Sequence, residues 1–190
     1  MSRPVVASME AEYRRYKALA EGAVAQLTDD ALWETRSASD NPIGTVMSHV
    51  GGNLKSRFTD FLTSDGEKPW RDRDAEFDKG RAAREALLAR WEDGWTSLFA
   101  ALEGLTDEHL SGSVSIRGVP LTVAEALHRS LAHTSYHVGQ IVYVAKTLRG
   151  AAWTWLSIPP GASAAYNQNP AGEKPAGHAA EIEKRVGSSR

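Results

Sequence analysis

The chain contains no cysteine. That absence excludes disulfides, thiolate metal ligands and a cysteine nucleophile together. A bound metal must be held by His, Asp or Glu, and thiol chemistry must draw its sulfur from a ligand. No apolar run approaches the length of a membrane span. The opening "MSRPVVASMEAEYRRYK" also lacks the apolar core of a signal peptide, so a cytoplasmic protein is expected. An excess of one charge is missing too, because 22 Lys and Arg face 24 Asp and Glu for a formal net charge of -2. General attraction to nucleic acid is not expected from such a balance. Strand-like alternation is scarce, with "SVSIRG" at 113–118 as the one candidate for a short extended stretch.

What remains is helical pattern. At 190 residues, 42% of them hydrophobic, the chain suits one domain large enough to bury a core. Four segments repeat their apolar residues at intervals of three and four. The first carries Val6, Met9, Tyr13, Tyr16, Ala20, Val24 and Leu27. The second opens at "DNPIG", with Asn41 as expected N-cap and Pro42 at the first helical position. Its stripe is Ile43, Val46, Met47, Val50, Leu54, Phe58 and Phe61. The third runs from about Asp78 and buries Leu87, Trp91, Trp95, Leu98 and Leu102. The fourth begins at a Thr122–Glu125 capping box, continues through Leu127, Leu131, Val138, Ile141, Val142 and Ala145, and stops at Gly150. Between Leu131 and Ala145 there is no charged residue, so this helix is expected to be buried on most sides.

"LTDDAL" follows the first helix and "LTDEHL" the third, and each leads to a proline fourteen positions after its threonine. Two helix pairs with long internal connections are one reading of this echo, and coincidence of helix-ending signals is the other. Long connections permit crossover topology rather than a hairpin series. Beyond "WTWLSIPPG" the composition turns to Ala, Gly, Pro and charge. The expected organisation is a domain over 1–158 and a loosely ordered tail over 159–190, with a short helix near Ala179–Arg185.

Chemistry concentrates in "HTSYHVGQ", residues 133–140. His133 and His137, four apart, stand one above the other on one helix face. In the second helix His49 lies at the edge of its stripe, with Gly51 and Gly52 allowing close approach and Asn53 and Arg57 continuing a polar line. Three imidazoles from two helices make a workable site for zinc, nickel, copper or iron, with a coordination position left open. The alternative is three satisfied or exposed histidines, and spacing alone leaves both readings standing. His128 is turned about 140° from His133. Its Glu125-x-x-His128 has no second copy, so a di-iron site is excluded. His109 and His178 are expected to be solvated. "RDRD" at 71–74 reads more readily as a solvated charged loop than as a ligand site.

The stretches "NPIGTVMSHVGGNLKSRFTDF" and "LTVAEALHRSLAHTSYHVGQIVYVAK" resemble the DinB-like superfamily, over roughly residues 4–158. The resemblance implies an all-α fold, a four-helix bundle with crossover connections. It also implies a metal site whose ligands are His49, His133 and His137. Characterised relatives include bacillithiol S-transferases and mycothiol-dependent isomerases. A metal-dependent transferase using a low-molecular-weight thiol is therefore expected. Its cofactor is one divalent metal ion, zinc or nickel before iron or manganese. Asn53 and Arg57 are the expected substrate-binding residues, with Arg71 and Arg73 near them. The partners expected are a small-molecule thiol and an electrophile, with no nucleic acid and no membrane, and a homodimer as the assembly to be tested. Metal-dependent hydrolysis and a non-catalytic metal-binding bundle are the alternative readings. No residue is assigned as catalytic.

Overall fold

Four long helices frame the fold: α1 (Pro4–Val24), α2 (Ile43–Phe58), α3 (Arg84–Glu103) and α4 (Val123–Arg149). These spans come from a computed structural model, which describes residues 2–77 and 80–187. The expected start of the third helix near Asp78 lies outside the described residues. Two shorter helices follow, α5 (Ser163–Gln168) and α6 (Pro175–Gly187), and the described strands are β1 (Ser113–Ile116) and β2 (Val119–Thr122). The fold is mostly helical. No helix among the described residues is long and apolar enough to cross a membrane.

Burial follows the apolar spacing closely. All seven stripe residues of α2 and its exit are buried, as are Leu87, Trp91, Trp95, Leu98 and Leu102 of α3. Helix α2 packs on α3 and on α4, while α1 packs on α4 and α6. The α2–α3 contact is backbone to backbone, because a Cβ on Gly94 would strike the Gly51 carbonyl and one on Gly51 would meet the Arg90 carbonyl at 2.8 Å. Across the core, the buried Tyr13 hydroxyl donates to the Leu127 carbonyl at 2.9 Å, tying α1 to α4.

Helix ends match the sequence unevenly. Thr122 and Glu125 form the capping box of α4, and Gly150 ends it at φ 59°. At α2 the N-cap position falls on Pro42, without a side-chain capping bond, so Asn41 is not the cap. The echoed "LTD" segments each lead into a 3-10 turn, Ala31–Trp33 and Asp107–Ser111. Thr28 and Thr106 accept or share a hydrogen bond three residues on in each. Beyond these turns the two connections diverge, because Pro42 caps α2 while Pro120 sits inside β2.

The extended stretch "SVSIRG" is the first half of an antiparallel hairpin, Ser113 pairing with Thr122 and Ile116 with Val119. Its two-residue turn places Arg117 at φ 56° and Gly118 at φ 73°, the geometry that suits the twist of a hairpin. Arginine rarely adopts that backbone region. Asp65 holds it there, accepting the Arg117 and Gly118 N–H groups at 2.8 Å each and the Ser115 hydroxyl at 2.6 Å. Those donors keep its carboxyl well below the usual carboxylate range.

Two expectations from composition differ from the structure. The charge-free part of α4 is not covered on most sides, since Tyr136 and Tyr143 are 64% and 70% exposed. After residue 158, where a loose tail is expected, α6 packs on α1 and buries Ile182 and Val186. Gly22 makes the room, because a Cβ there would meet Ile182 at 2.7 Å. His178 is part of this seam, half-buried and bonded to the Leu156 carbonyl at 2.8 Å.

Candidate metal centre

The α2–α4 packing brings His49, His133 and His137 together. One ligand atom from each lies within 4.8 Å of the others, a cluster that could hold a metal ion. His49 is buried and the other two are half-buried. His128 is exposed and stands apart from them. The ring pairs meet edge to face, His133 and His137 with centroids 4.6 Å apart and His49 5.2 and 5.0 Å from them.

The outer nitrogens explain which lone pairs face inward. Glu76 Oε2 lies 2.9 Å from His49 Nδ1. Burial alone raises the Glu76 pKa, but hydrogen bonds from His49 and Arg71 and the charge of Arg71 outweigh it, so the carboxyl ionises below its ordinary range. An ionised carboxylate can only accept, so His49 Nδ1 carries a proton, and in the neutral ring Nε2 presents the lone pair. His137 Nδ1 likewise donates to Gln140 Oε1 at 2.8 Å. Tautomers fixed from behind in this way are the usual support of metal-ligating histidines.

The dimensions fit an ion. Nε2 of His49 and Nε2 of His133 face each other at 3.2 Å. Tetrahedral ligands about 2.0 Å from a zinc ion stand about 3.3 Å apart. His133 is pushed down to about 4, first by burial, then by the neighbouring His137, His49, Arg71 and Arg57. Burial lowers His137 as well, against the opposing pull of Gln140. Neutral imidazoles are the form that binds a metal.

Glu76 was invisible in the sequence as a site residue. It sits in the 3-10 turn Ala75–Phe77 of the long α2–α3 connection. Gly52 makes its place, since a Cβ there would collide with the Glu76 carboxylate. Thus the two glycines after His49 divide their work: Gly51 admits α3 and Gly52 admits Glu76. Arg71 grips the same carboxylate from the other side with two hydrogen bonds of 2.8 Å, and its side chain is 2% exposed. The "RDRD" run is therefore not uniformly solvated: Arg71 belongs to the interior, whereas Arg73 is half-exposed.

A cavity of about 280 Å³ opens beside the cluster. His49, His133, Asn53 and Ser130 line it, with Phe58, Phe61, Ile116 and Ala126 as its apolar part. Five arginines complete the lining: Arg57, Arg71, Arg73, Arg117 and Arg129. No Asp or Glu is among these residues. Both expected substrate-binding residues, Asn53 and Arg57, are therefore on this wall. Arg57 has a second engagement, because its Nη1 donates to the Gly66 carbonyl and to Glu67 at 3.1 Å.

A family model described as "Protein of unknown function (DUF1572)" matches residues 1–162. No curated protein and no solved structure matches the chain.

Proposed function

The chain belongs to the DUF1572 family, and from that premise we propose that it is a metal-dependent transferase using a low-molecular-weight thiol. One observation carries the proposal: three imidazoles converge, and two of them, His49 and His133, line a cavity walled by arginine and by no carboxylate. Three protein ligands leave room for a fourth from a substrate. Bound there, a divalent metal supplies the positive charge that keeps a thiol deprotonated near neutral pH. The chain has no cysteine to compete for it. Zinc or nickel, which imidazole nitrogens suit, is the proposed ion, with iron or manganese as alternatives.

The roles of the protein groups follow from their positions. His49, His133 and His137 hold the ion, and Glu76 and Gln140 orient two of them from behind. Asn53 and Arg57 meet the polar and carboxylate parts of the thiol. Phe58, Phe61 and Ile116 exclude water from the apolar part of the cavity. Hydrolysis ranks lower because activated water needs a general base, and the cavity lining offers no carboxylate.

The arrangement of helices supports the same assignment. With α1 on α4, α4 on α2 and α2 on α3, we read a four-helix bundle with crossover connections. Its ligands come from the second and fourth helices, which favours membership of the DinB-like superfamily. Cobalt substitution followed by titration with candidate thiols tests the function. A thiolate-to-metal charge-transfer band is expected. Ester cleavage without thiol would favour hydrolysis, and silence in both assays would favour a non-catalytic bundle.

A further inference from the structure

The cavity carries more positive charge than its ion pairs use. Glu67 pairs with Arg57 and Arg117, Glu76 with Arg71, and Asp74 with Arg73. Five guanidiniums thus face three carboxylates, a surplus of two. Arg129, on α4, is exposed and makes no ion pair or hydrogen bond among the described residues. Asp65 lies close by but is occupied by the hairpin N–H groups, and the buried Lys68 bonds its carbonyl.

Arg71 adds an independent sign of a ligand. Its Nε and Nη2 are fixed on Glu76, and its Nη1 is buried with no hydrogen-bond partner. A charged donor left unpaired in the interior is costly, and such groups ordinarily have a partner. The guanidinium is held by its first two bonds at the cavity wall, where a small local shift lets the remaining nitrogen meet an acceptor.

We infer that Arg71 and Arg129 form an anion site for a doubly charged ligand, a dicarboxylate or a phosphate monoester. One anionic oxygen bonds Arg71 Nη1 beside the imidazoles, and the second charge is met by Arg129. In naming the charge of a substrate the inference rests on the transfer reading, whereas the site itself needs no metal. Binding is therefore measured on the full chain stripped of metal, where failure of the metal chemistry cannot obscure it.

Calorimetric titration with inorganic phosphate at pH 8, succinate and acetate separates the possibilities. Phosphate or succinate should bind at least tenfold tighter than acetate, and the tighter of the two identifies the oxyanion. Acetate binding as tightly as both would overturn the two-charge ligand. Arg71→Lys should weaken the preferred dianion tenfold or more, and Arg129→Gln about threefold. Glu76→Gln distinguishes direct contact from mere support: it loosens Arg71 but also removes the carboxylate that neutralises it, so it should change dianion binding by less than threefold. Arg71→Lys within twofold of the parent, or Glu76→Gln losing binding in step with Arg71→Lys, would contradict the site. Should Arg71→Lys fail to fold, Glu76→Gln and Arg129→Gln still decide: unchanged binding in Arg129→Gln, or lost binding in Glu76→Gln, counts against it.

Discussion

Glu76 accepts the His49 Nδ1 proton at 2.9 Å across 27 positions of sequence. That contact turns the His49 Nε2 lone pair toward His133 and connects the imidazole cluster to Arg71. Removing the carboxylate's charge should loosen the site without unfolding the protein. Glu76→Gln is expected to lower metal affinity about tenfold or more, as outer hydrogen-bond partners of metal ligands typically do. Competition with a chelator of known affinity measures it, and an unchanged constant would separate Glu76 from the centre.

Gly52→Ala should reach the same end by another route. Its new methyl occupies the space of the Glu76 carboxylate, whose flexible end can swing away. Alanine also suits a helix interior better than glycine by about 1 kcal/mol. Expected, then, is weaker metal binding at equal or higher melting temperature. A parallel loss of both would mean that the methyl disrupts the helix packing instead.

Acid should destabilise the metal-free protein in a defined window. An unfolded histidine takes its proton near about 6.5, whereas folded His133 does so at about 4. Between those values the unfolded chain binds more protons, so stability rises with pH across the window. The contribution is complete above the unfolded value and is lost as pH falls through the folded one. Urea unfolding at pH 7.5, 5.5 and 4 should show this decline, and His133→Gln should flatten it. An equal slope in parent and variant would remove His133 as its source.

Arg57→Ala should leave metal content intact and raise the Michaelis constant for a carboxylate-bearing thiol. Because Arg57 also holds the Gly66 carbonyl and Glu67, stability should fall by about 1 kcal/mol. Mercaptoethanol, which has no carboxylate, should be used nearly as well as before. Equal impairment of charged and uncharged thiols would assign Arg57 to the loop rather than to the substrate.

How much of this was legible in the sequence depends on the range of the forces involved. Helix stripes are local, so Val46, Met47, Val50 and Leu54 announce their buried face by spacing alone. His49, His133 and His137 were found as edge residues of such stripes. Glu76 was not, because it lies in a charged connection and depends on the absence of a side chain at Gly52. The Arg117–Gly118 turn was missed for a similar reason. Arginine at positive φ is no turn signal until Asp65, 52 positions away, supplies its acceptors. The short helix expected near Ala179–Arg185 lies within α6, but its docking was not legible, because Ala179, Ile182 and Val186 are few and their partner surface is on α1.

That docking is itself testable. Ile182 is 1% exposed, so Ile182→Ala should cost about 2–3 kcal/mol of unfolding free energy. A change near zero in denaturant unfolding would return the segment to the role of a loose tail.

Metal content tests the central claim most directly. Full-length protein purified without chelator and analysed for elements should hold about one divalent metal per chain, because three convergent imidazoles make one site. His128→Ala, an exposed position on the same helix, should retain that metal. Changing His133 and His137 together to Ala should abolish it while the helical circular dichroism persists. Full occupancy in that double variant, or no metal taken up by the parent chain when zinc and nickel are supplied, would contradict the account.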